Sequence, residues 1–194
     1  MFKLEKTLKF VNVDLKYLKK LHDVSSEVYY KESNYETKPY LGILLTTEGR
    51  KYVLPLTSAK EKHKFWKNAD VDRFLIYEMV DKRGLGKNDV YVEQKDTDEV
   101  KHILSAIDLK KMIPVVDSVI SYVDINVHDT DSEDVKKYKA LLNKEYGYCL
   151  KIMDDVVSKA GKIYDKQKST GKISKFCCDF TAMEKVADDE QNAE

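Results

Sequence analysis

Alternating apolar and polar positions open the chain and predict a first strand over residues 5–13. Asp14 follows this strand and suits the N-cap position of a short helix. Leucines then recur at the spacing of one helical face, at Leu15, Leu18 and Leu21. The polar, tyrosine-rich stretch 25–38 predicts a loop.

The clearest pattern is a pair of apolar runs, 40–45 and 51–56, joined by Thr-Thr-Glu-Gly-Arg. Short apolar runs on both sides of a glycine-containing turn are typical of a β-hairpin, in which Gly49 supplies the positive φ of the turn. Because Pro55 lacks a backbone N–H, we expect the second strand to end there or to lie at a sheet edge.

The remaining pattern predicts further strands and then helices. Strands are expected at 72–80 and 102–107, with a charged loop over 81–101, and the apolar run 112–124 is expected to complete the sheet. From Glu133 to about Lys168, apolar residues recur at steps of three, four or seven, which predicts one long helix.

The end of the chain predicts a short helix over 179–186 and a disordered acidic tail over 187–194. Together these elements indicate a single α+β domain over residues 1–186. Its small, mainly antiparallel and strongly curved sheet is covered by the long helix.

Composition is that of an ordinary globular protein, with 42% hydrophobic and 35% charged residues in a chain of 194. No apolar run approaches the roughly 20 residues that span a bilayer. The N-terminus lacks the apolar core and cleavage site of a secretory signal, so we expect a cytoplasmic protein without a membrane partner. The three cysteines, of which Cys177 and Cys178 are adjacent, indicate reduced thiols rather than disulfides or a zinc site.

Charge is unevenly distributed, although the formal net charge is zero. Residues 1–67 carry 14 Lys/Arg and 8 Asp/Glu, a net of +6, whereas residues 68–135 carry 8 and 16, a net of −8. Because screening limits charge effects to short range, a basic N-terminal part can face phosphates on a neutral protein. The alternative is that these lysines are spread over all faces of the protein and form no phosphate-binding surface, which is equally consistent with the charge counts.

Familiar catalytic motifs are missing from the sequence. Asp129, Asp131 and Glu133 resemble the start of a calcium loop, but Asp134 and Ala140 replace its glycine and its glutamate. The four histidines do not stand at metal-ligand spacing, and there is no GxSxG nucleophile motif. We therefore expect neither a metal nor another cofactor.

The segment after the hairpin, PLTSAKEKHKFWK, combines hydroxyls, cations and aromatic rings. Thr57 and Ser58 stand where a strand runs into a short helix; either could cap it, and its open N–H groups could bind an anion. The candidates for phosphate or base contact that follow are Lys60, Lys62, His63 and Trp66. A capped basic helix without function, with the tryptophan anchored in the core, explains the same pattern.

Tyrosines ahead of the hairpin are further candidates for stacking on RNA bases, among them Tyr35 and Tyr40. A half-buried rim of the sheet is the alternative explanation for them. Arg50, at the hairpin turn, is a candidate for contact with an RNA phosphate.

Three blocks of sequence resemble, in matching order, the toxins of type III toxin–antitoxin systems, the ToxN/AbiQ family. They are TKPYLGILL, PLTSAKEKH and AIDLKKMIPVV, and from Lys38 they extend to residue 116. The resemblance implies a compact SH3-like, MazF/Kid-like antiparallel β-barrel elaborated with helices. It also implies a metal-independent endoribonuclease that leaves a 2′,3′-cyclic phosphate and acts in phage abortive infection.

The resemblance implies RNA partners of two kinds. One is the substrate, a cellular or phage transcript. The other is a structured repeat RNA antitoxin that the toxin itself trims and that holds it in a closed toxin–RNA ring, with no protein partner required.

The family's active-site residues can be placed on this chain. Thr57, Ser58 and Lys60 match the block after the hairpin, and Lys38 matches the upstream lysine. Ser58 and Lys60 then stabilise charge on the phosphate, and Lys38 is a candidate for proton transfer. Tyr35 lies near the family's tyrosine, but its spacing to Lys38 differs by one residue.

Two other functions fit the residues when the resemblance is set aside. A non-catalytic RNA-binding module would use the same cations and tyrosines but yield no cleavage products. A protein whose long helix docks a protein partner would show no salt-dependent binding of RNA.

Overall fold

The computed structural model describes residues 2–4, 7–30, 40–47 and 49–193, and only the backbone of Tyr40 and Leu41. The predictions made for Tyr35, Lys38 and the side chain of Tyr40 therefore lie outside the described residues. The chain divides into two compact units. The first comprises Met1–Leu56, Asp108–Val123 and Asp154–Glu194, and the second comprises Thr57–Ile107 and Asp124–Met153.

Within these described ranges, eight strands form an antiparallel sheet. They are β1 (Phe10–Val13), β2 (Tyr40–Thr47), β3 (Arg50–Ser58), β4 (Arg73–Asp81), β5 (Val90–Glu93), β6 (Glu99–Asp108), β7 (Ile113–Val115) and β8 (Ile120–Tyr122). Their hydrogen-bonding order is β4-β6-β3-β2-β1-β8, with β5 paired to β6 and β7 to β3. Across the described residues, β4 and β8 end this order without pairing to each other, so the sheet is open and a closed barrel stays a prediction.

The helices are α1 (Leu15–Val24), α2 (Glu133–Thr170) and α3 (Phe180–Asn192), and a short 3₁₀ helix at Glu61–Phe65 lies in the second unit. The α+β class and the long helix predicted from the sequence are thus confirmed. None of the helices within the described ranges is long and apolar enough to cross a membrane.

The predicted hairpin is confirmed in the first unit. β2 and β3 pair in a register that runs from Gly42 opposite Pro55 to Thr47 opposite Arg50, and Gly49 has a φ of 81°. The expectation that Pro55 ends its strand or marks a sheet edge is wrong, because β3 passes through this buried proline and lies between β2 and β6 in the sheet. The fixed φ of proline is compatible with an extended chain, so the strand loses only one backbone donor.

Gly42 lies where β2 and β3 approach closely. A Cβ added there would stand 2.2 Å from Val53 Cγ1 and 2.6 Å from the carbonyl oxygen of Leu54. We therefore expect Gly42→Ala to lower the free energy of unfolding by about 2–3 kcal/mol, because the added methyl overpacks a buried strand pair. Urea unfolding measures this difference.

Gly161→Ala is the matched control for that variant. Gly161 lies inside α2 in the same unit, and a Cβ there would meet no atom within 4 Å. Because alanine is the better helix former, this substitution should raise stability by about 0.5–1 kcal/mol. Equal effects of the two substitutions would contradict the close approach at Gly42.

The predicted cap of α1 is confirmed. The carboxylate of Asp14 accepts a hydrogen bond from the backbone N–H of Tyr17 at 2.9 Å. Leu18 and Leu21 are fully buried and Leu15 is half-buried, as one face of a helix against a core requires. The three cysteines are free, as predicted, and all three are buried.

The expected disordered tail is corrected, because α3 continues to Asn192. Ala187 is only 2% exposed. Asp188 pairs with Arg50 at 2.6 Å, and Glu190 pairs with Lys20 at 2.6 Å. Residues 187–192 are therefore folded, and two of their acidic side chains, Asp188 and Glu190, have basic partners elsewhere in the first unit.

α3 also carries a buried carboxylate with several hydrogen-bond donors around it. Glu184 accepts hydrogen bonds from the hydroxyls of Tyr52 and Tyr164 at 2.6 Å each, and from Lys168 Nζ at 2.6 Å. Burial alone would raise the pKa of Glu184, but these donors hold it below its usual value. The ionised form therefore joins α3 to β3 and α2.

The second unit contains a strand that the sequence pattern did not predict. β5 lies inside the expected loop 81–101 and pairs with β6, with Val90 opposite Ile103 and Glu93 opposite Val100. Leu75, Val90, Ile103 and Ala106 form a small buried core in this unit.

Candidate functional site

The hydroxyl pair predicted after the hairpin lies at the end of β3, where it is attached to β6. The Thr57 hydroxyl donates to the carbonyl oxygen of Ala106 at 3.3 Å, and the N–H of Ala59 donates to that of Leu104 at 3.3 Å. Ser58 lies between these two bonds and is exposed. Among the residues that the structure describes, none forms a hydrogen bond with the Ser58 hydroxyl. The backbone is thus held while this hydroxyl stays available.

His63 fixes the backbone of Lys60. Its Nδ1 accepts the backbone N–H of Lys60 at 3.1 Å, and its ring is 1% exposed. Burial, together with the charges of Lys62 and Lys60, lowers the pKa of His63 to about 4, so the ring is neutral near pH 7 and can accept this bond. The predicted contact of His63 with RNA is therefore corrected: the buried ring positions Lys60 instead.

The predicted helix cap is also corrected. Lys60, rather than Thr57 or Ser58, precedes the 3₁₀ helix Glu61–Phe65, which is only five residues long. The N–H groups of Ala59 and Lys60 already have acceptors. Lysine side chains therefore supply the positive charge at this place.

The lysine side chains differ in how they are paired. Lys60 and Lys62 are exposed, and no ion pair to either is found in the described part of the chain. Lys64 pairs with Glu61 at 2.8 Å. Lys60 and Lys62 are therefore the cations beside Ser58 that can bind an incoming phosphate without giving up an acidic partner.

Trp66 is packed in the fold, and cations lie beside its ring. Its half-buried ring packs against the small core of the second unit and lies 4.6 Å from the ring of His63. Arg73 and Lys62 place their cationic groups 4.6 Å and 5.7 Å from the ring centroid. The ring thus anchors the 3₁₀ helix and is surrounded by positive charge.

Arg50 lies in the first unit and already has a partner. Its guanidinium forms a close pair with Asp188, with contacts of 2.6 and 2.9 Å, and this hydrogen bond raises its pKa. To bind RNA, as the sequence predicted, Arg50 would have to exchange this carboxylate for a phosphate.

Sequence reasoning missed a buried cation in the AIDLKKMIPVV block. Lys111 is 6% exposed, forms an ion pair with Glu27, and places its ammonium 5.5 Å from the ring centroid of Tyr29. Burial and the nearby Asp108 raise the pKa of Tyr29. The signal in the sequence was a lysine directly before the apolar run that begins at Met112. All these residues belong to the first unit.

A search of the described residues for three or more His, Cys, Asp or Glu side chains grouped to hold a metal finds none. The chemistry that Ser58, Thr57 and Lys60 can perform is binding of an anion and stabilisation of negative charge that develops on it.

Residues 9–188 match a family model described as the toxin ToxN of type III toxin–antitoxin systems. The relatives include an endoribonuclease ToxN from Bacillus thuringiensis subsp. kurstaki, which is 27% identical over 183 residues. That alignment covers 91% of this chain and 80% of the relative.

Solved structures share the fold. A chain from a bacterial antiviral system that a processed non-coding RNA regulates matches with a TM-score of 0.65 and 25% identity, covering 93% of this chain and 98% of that chain. AbiQ, a lactococcal anti-phage endoribonuclease of a type III toxin–antitoxin system, matches with a TM-score of 0.66 and 23% identity. The coverage is 96% of this chain and 99% of AbiQ.

Proposed function

The chain belongs to the family of ToxN toxins of type III toxin–antitoxin systems, and we propose that it is an endoribonuclease with its active site around Thr57, Ser58 and Lys60. The observation that supports this assignment is the exposed hydroxyl of Ser58, which has no hydrogen-bond partner among the described residues. Its backbone is held by β6 on one side and by His63 on the other. A group fixed before the substrate arrives need not reorganise during the reaction, which is the basis of electrostatic catalysis.

In the proposed reaction the RNA supplies its own nucleophile. The 2′-oxygen attacks the adjacent phosphorus and loses its proton, and the bond from phosphorus to the 5′-oxygen breaks as that oxygen gains a proton. The products are a 2′,3′-cyclic phosphate and a 5′-hydroxyl end. Ser58 and Lys60 bind the non-bridging oxygens and stabilise their growing charge, and Lys38 is the proposed group for proton transfer.

The partners are RNA molecules. A related chain belongs to an antiviral system that a processed non-coding RNA regulates. By the same scheme, this toxin cuts a structured repeat RNA from its precursor, and that repeat inhibits it in a closed toxin–RNA ring. The toxin itself acts in phage abortive infection. The proposed RNA contacts are Lys62, Trp66, Arg50, Tyr35 and Tyr40.

Two finer structural proposals accompany this function. The open antiparallel sheet is a divergent form of the SH3-like, MazF/Kid-like barrel. Both compact units form one endoribonuclease domain, because the family match extends over parts of each.

Incubation of the purified protein with single-stranded RNA and excess EDTA tests the proposed reaction. We expect cleavage to continue at an unchanged rate, because the 2′-hydroxyl attack needs only positioned hydroxyls and cations. The upstream products should carry a 2′,3′-cyclic phosphate at their 3′ ends. Those 3′ ends should resist labelling until a phosphatase that opens cyclic phosphates has acted.

An RNA without secondary structure serves as the control, because EDTA can unfold a structured substrate. Loss of cleavage in EDTA with recovery in magnesium would refute the proposed chemistry. Salt-dependent binding without any cleavage would support the non-catalytic RNA-binding module instead.

A further inference from the structure

Tyr91 on β5 has two lysine ammonium groups over its ring. Lys64 Nζ, from the 3₁₀ helix, lies 5.6 Å from the ring centroid, and Lys82 Nζ lies 5.4 Å from it. The ring is half-buried and thus held by the fold while part of its surface stays accessible. Aromatic rings beside cations are what proteins use to stack a base and hold its phosphates.

This ring is close in the fold to the proposed active site. Lys60 and Lys64 lie at the two ends of the same short segment, and β5 packs against the 3₁₀ helix. Lys62, between them, reaches the ring of Trp66, which Arg73 contacts as well. A row of cations and aromatic rings therefore leads from Ser58 toward Tyr91 within the second unit.

Beyond Lys82 the surface forms a hollow of about 560 Å³. It is lined by Lys82, Arg83, Gln94 and Thr97 together with the carboxylates of Asp81, Glu93 and Asp98, so it offers both donors and acceptors. Lys82 connects the hollow to the ring, because its ammonium lies over Tyr91 and pairs with Glu93 at 2.5 Å. Pockets of about 300–1,000 Å³ bind small ligands, and the volume of this hollow is comparable.

We propose that Tyr91, Lys64 and Lys82 form a secondary RNA subsite for a nucleotide on one side of the scissile phosphate, with the hollow receiving the next base. The subsite rests on the proposed function, since it requires an RNA chain engaged at Ser58. On binding, a base stacks on the Tyr91 ring and the two lysines turn to the flanking phosphates. Gln94 then faces a base edge with an amide that can donate and accept.

The surroundings of the ring favour single-stranded RNA over a duplex or a protein. A stacking ring needs an unstacked base, which a duplex does not present. The core of a protein interface is depleted in charged residues, whereas lysines flank this ring. The ion pairs of Lys64 with Glu61 and of Lys82 with Glu93 are exposed, so their exchange for phosphate contacts costs little.

The length dependence of RNA binding by Tyr91→Ala tests the subsite. The probe is a single-stranded oligoribonucleotide that the wild type cleaves, made uncleavable by a 2′-deoxy nucleotide at the cut. The short form contains only the nucleotides next to the cut. A second form is extended on the 5′ side of the cut, and a third form is extended on its 3′ side. We expect Tyr91→Ala to weaken one extended form by about 5- to 150-fold and the short form by far less, with Tyr91→Phe close to wild type.

Tyr122→Ala is the matched control. Tyr122 also has a lysine over its ring, Lys9 at 4.7 Å, but it lies in the first unit. The control should keep the wild-type ratio of affinities for long and short probes. If Tyr91→Ala loses affinity equally for all three probes, or loses affinity for none of them, the subsite is overturned.

A second variant keeps the test decisive if Tyr91→Ala does not fold. Lys64→Met combined with Lys82→Met should reduce the slope of log affinity against log salt by about 1.4 on the extended probe, for the loss of two phosphate contacts. An unchanged slope would overturn the subsite. If the wild type cleaves RNA and these variants bind the probes as tightly as the wild type does, only the subsite is refuted. If the wild type cleaves no RNA, the proposed function is refuted.

Discussion

Ser58→Ala should lower the rate of RNA cleavage by roughly 100- to 1,000-fold, and Lys60→Ala should have an effect of the same order. Each substitution removes one pre-positioned group that stabilises charge on the phosphate, and one such group is worth about 2.7–4 kcal/mol of barrier. The effect should fall on the cleavage step, which single-turnover kinetics at saturating enzyme measures directly. In cells, both variants should be non-toxic at equal expression.

The matched controls for these variants are Ser158→Ala and Lys151→Ala. Both residues are exposed on α2. They should leave cleavage and unfolding at wild-type values. If Ser58→Ala and Lys60→Ala cleave normally, the active site lies elsewhere. If they instead lose stability without a specific effect on the single-turnover rate, the segment is only a structural connection between β3 and the 3₁₀ helix.

The features that sequence predicted correctly are those set by neighbours along the chain. The hairpin needs only two apolar runs and a glycine, and Gly49 adopts the positive φ for which it was predicted. Asp14 caps α1 through a bond to a residue three positions later. The long helix follows from its own apolar stripe. In each case the information lies within a few turns of the element itself.

The features that sequence missed depend on partners distant in the chain. β5 is four residues long and becomes a strand because β6 pairs with it. Residues 187–192 look like a charged tail, yet Asp188 finds its cation in Arg50, 138 residues away. Local pattern contains no trace of such a partner, so charge was interpreted as disorder.

The same limit applies to the candidate site. The hydroxyls and lysines after the hairpin were identified from residue type and family resemblance. His63, however, was expected to contact RNA because it lies among the lysines of this basic segment. Only the fold reveals that its ring is buried and that Nδ1 accepts the Lys60 N–H. A positioning role of this kind depends on the burial of the side chain, which cannot be predicted from a single sequence.

Glu184→Gln should lower the free energy of unfolding at pH 7 by about 2–4 kcal/mol. The carboxylate accepts bonds from Tyr52, Tyr164 and Lys168, and an amide of the same shape has one acceptor oxygen in place of two. The hydroxyl of buried Tyr52 or the ammonium of Lys168 then loses its partner, and an unsatisfied buried group costs far more than a net hydrogen bond contributes. Urea unfolding at fixed pH measures the loss.

Glu190→Gln is the control that isolates this effect. It makes the same substitution on the same helix, but the ion pair of Glu190 with Lys20 is exposed to solvent, so the expected cost is about 0–1 kcal/mol. Losses of equal size at the two positions would contradict the role of the buried carboxylate.

The stability difference between wild type and Glu184→Gln should also depend on pH. The pKa of Glu184 is held below its usual value in the folded protein, so the unfolded chain takes up the proton first as pH falls. The stabilisation is therefore fully present above about pH 5, which lies above the ordinary glutamate pKa, and is lost progressively as pH falls toward the lower folded-state pKa. Groups common to both proteins, such as His63, cancel in the difference. A gap between the two proteins that stays constant from pH 7 to about pH 3 would show that the ionised carboxylate is not what holds α3 against β3 and α2.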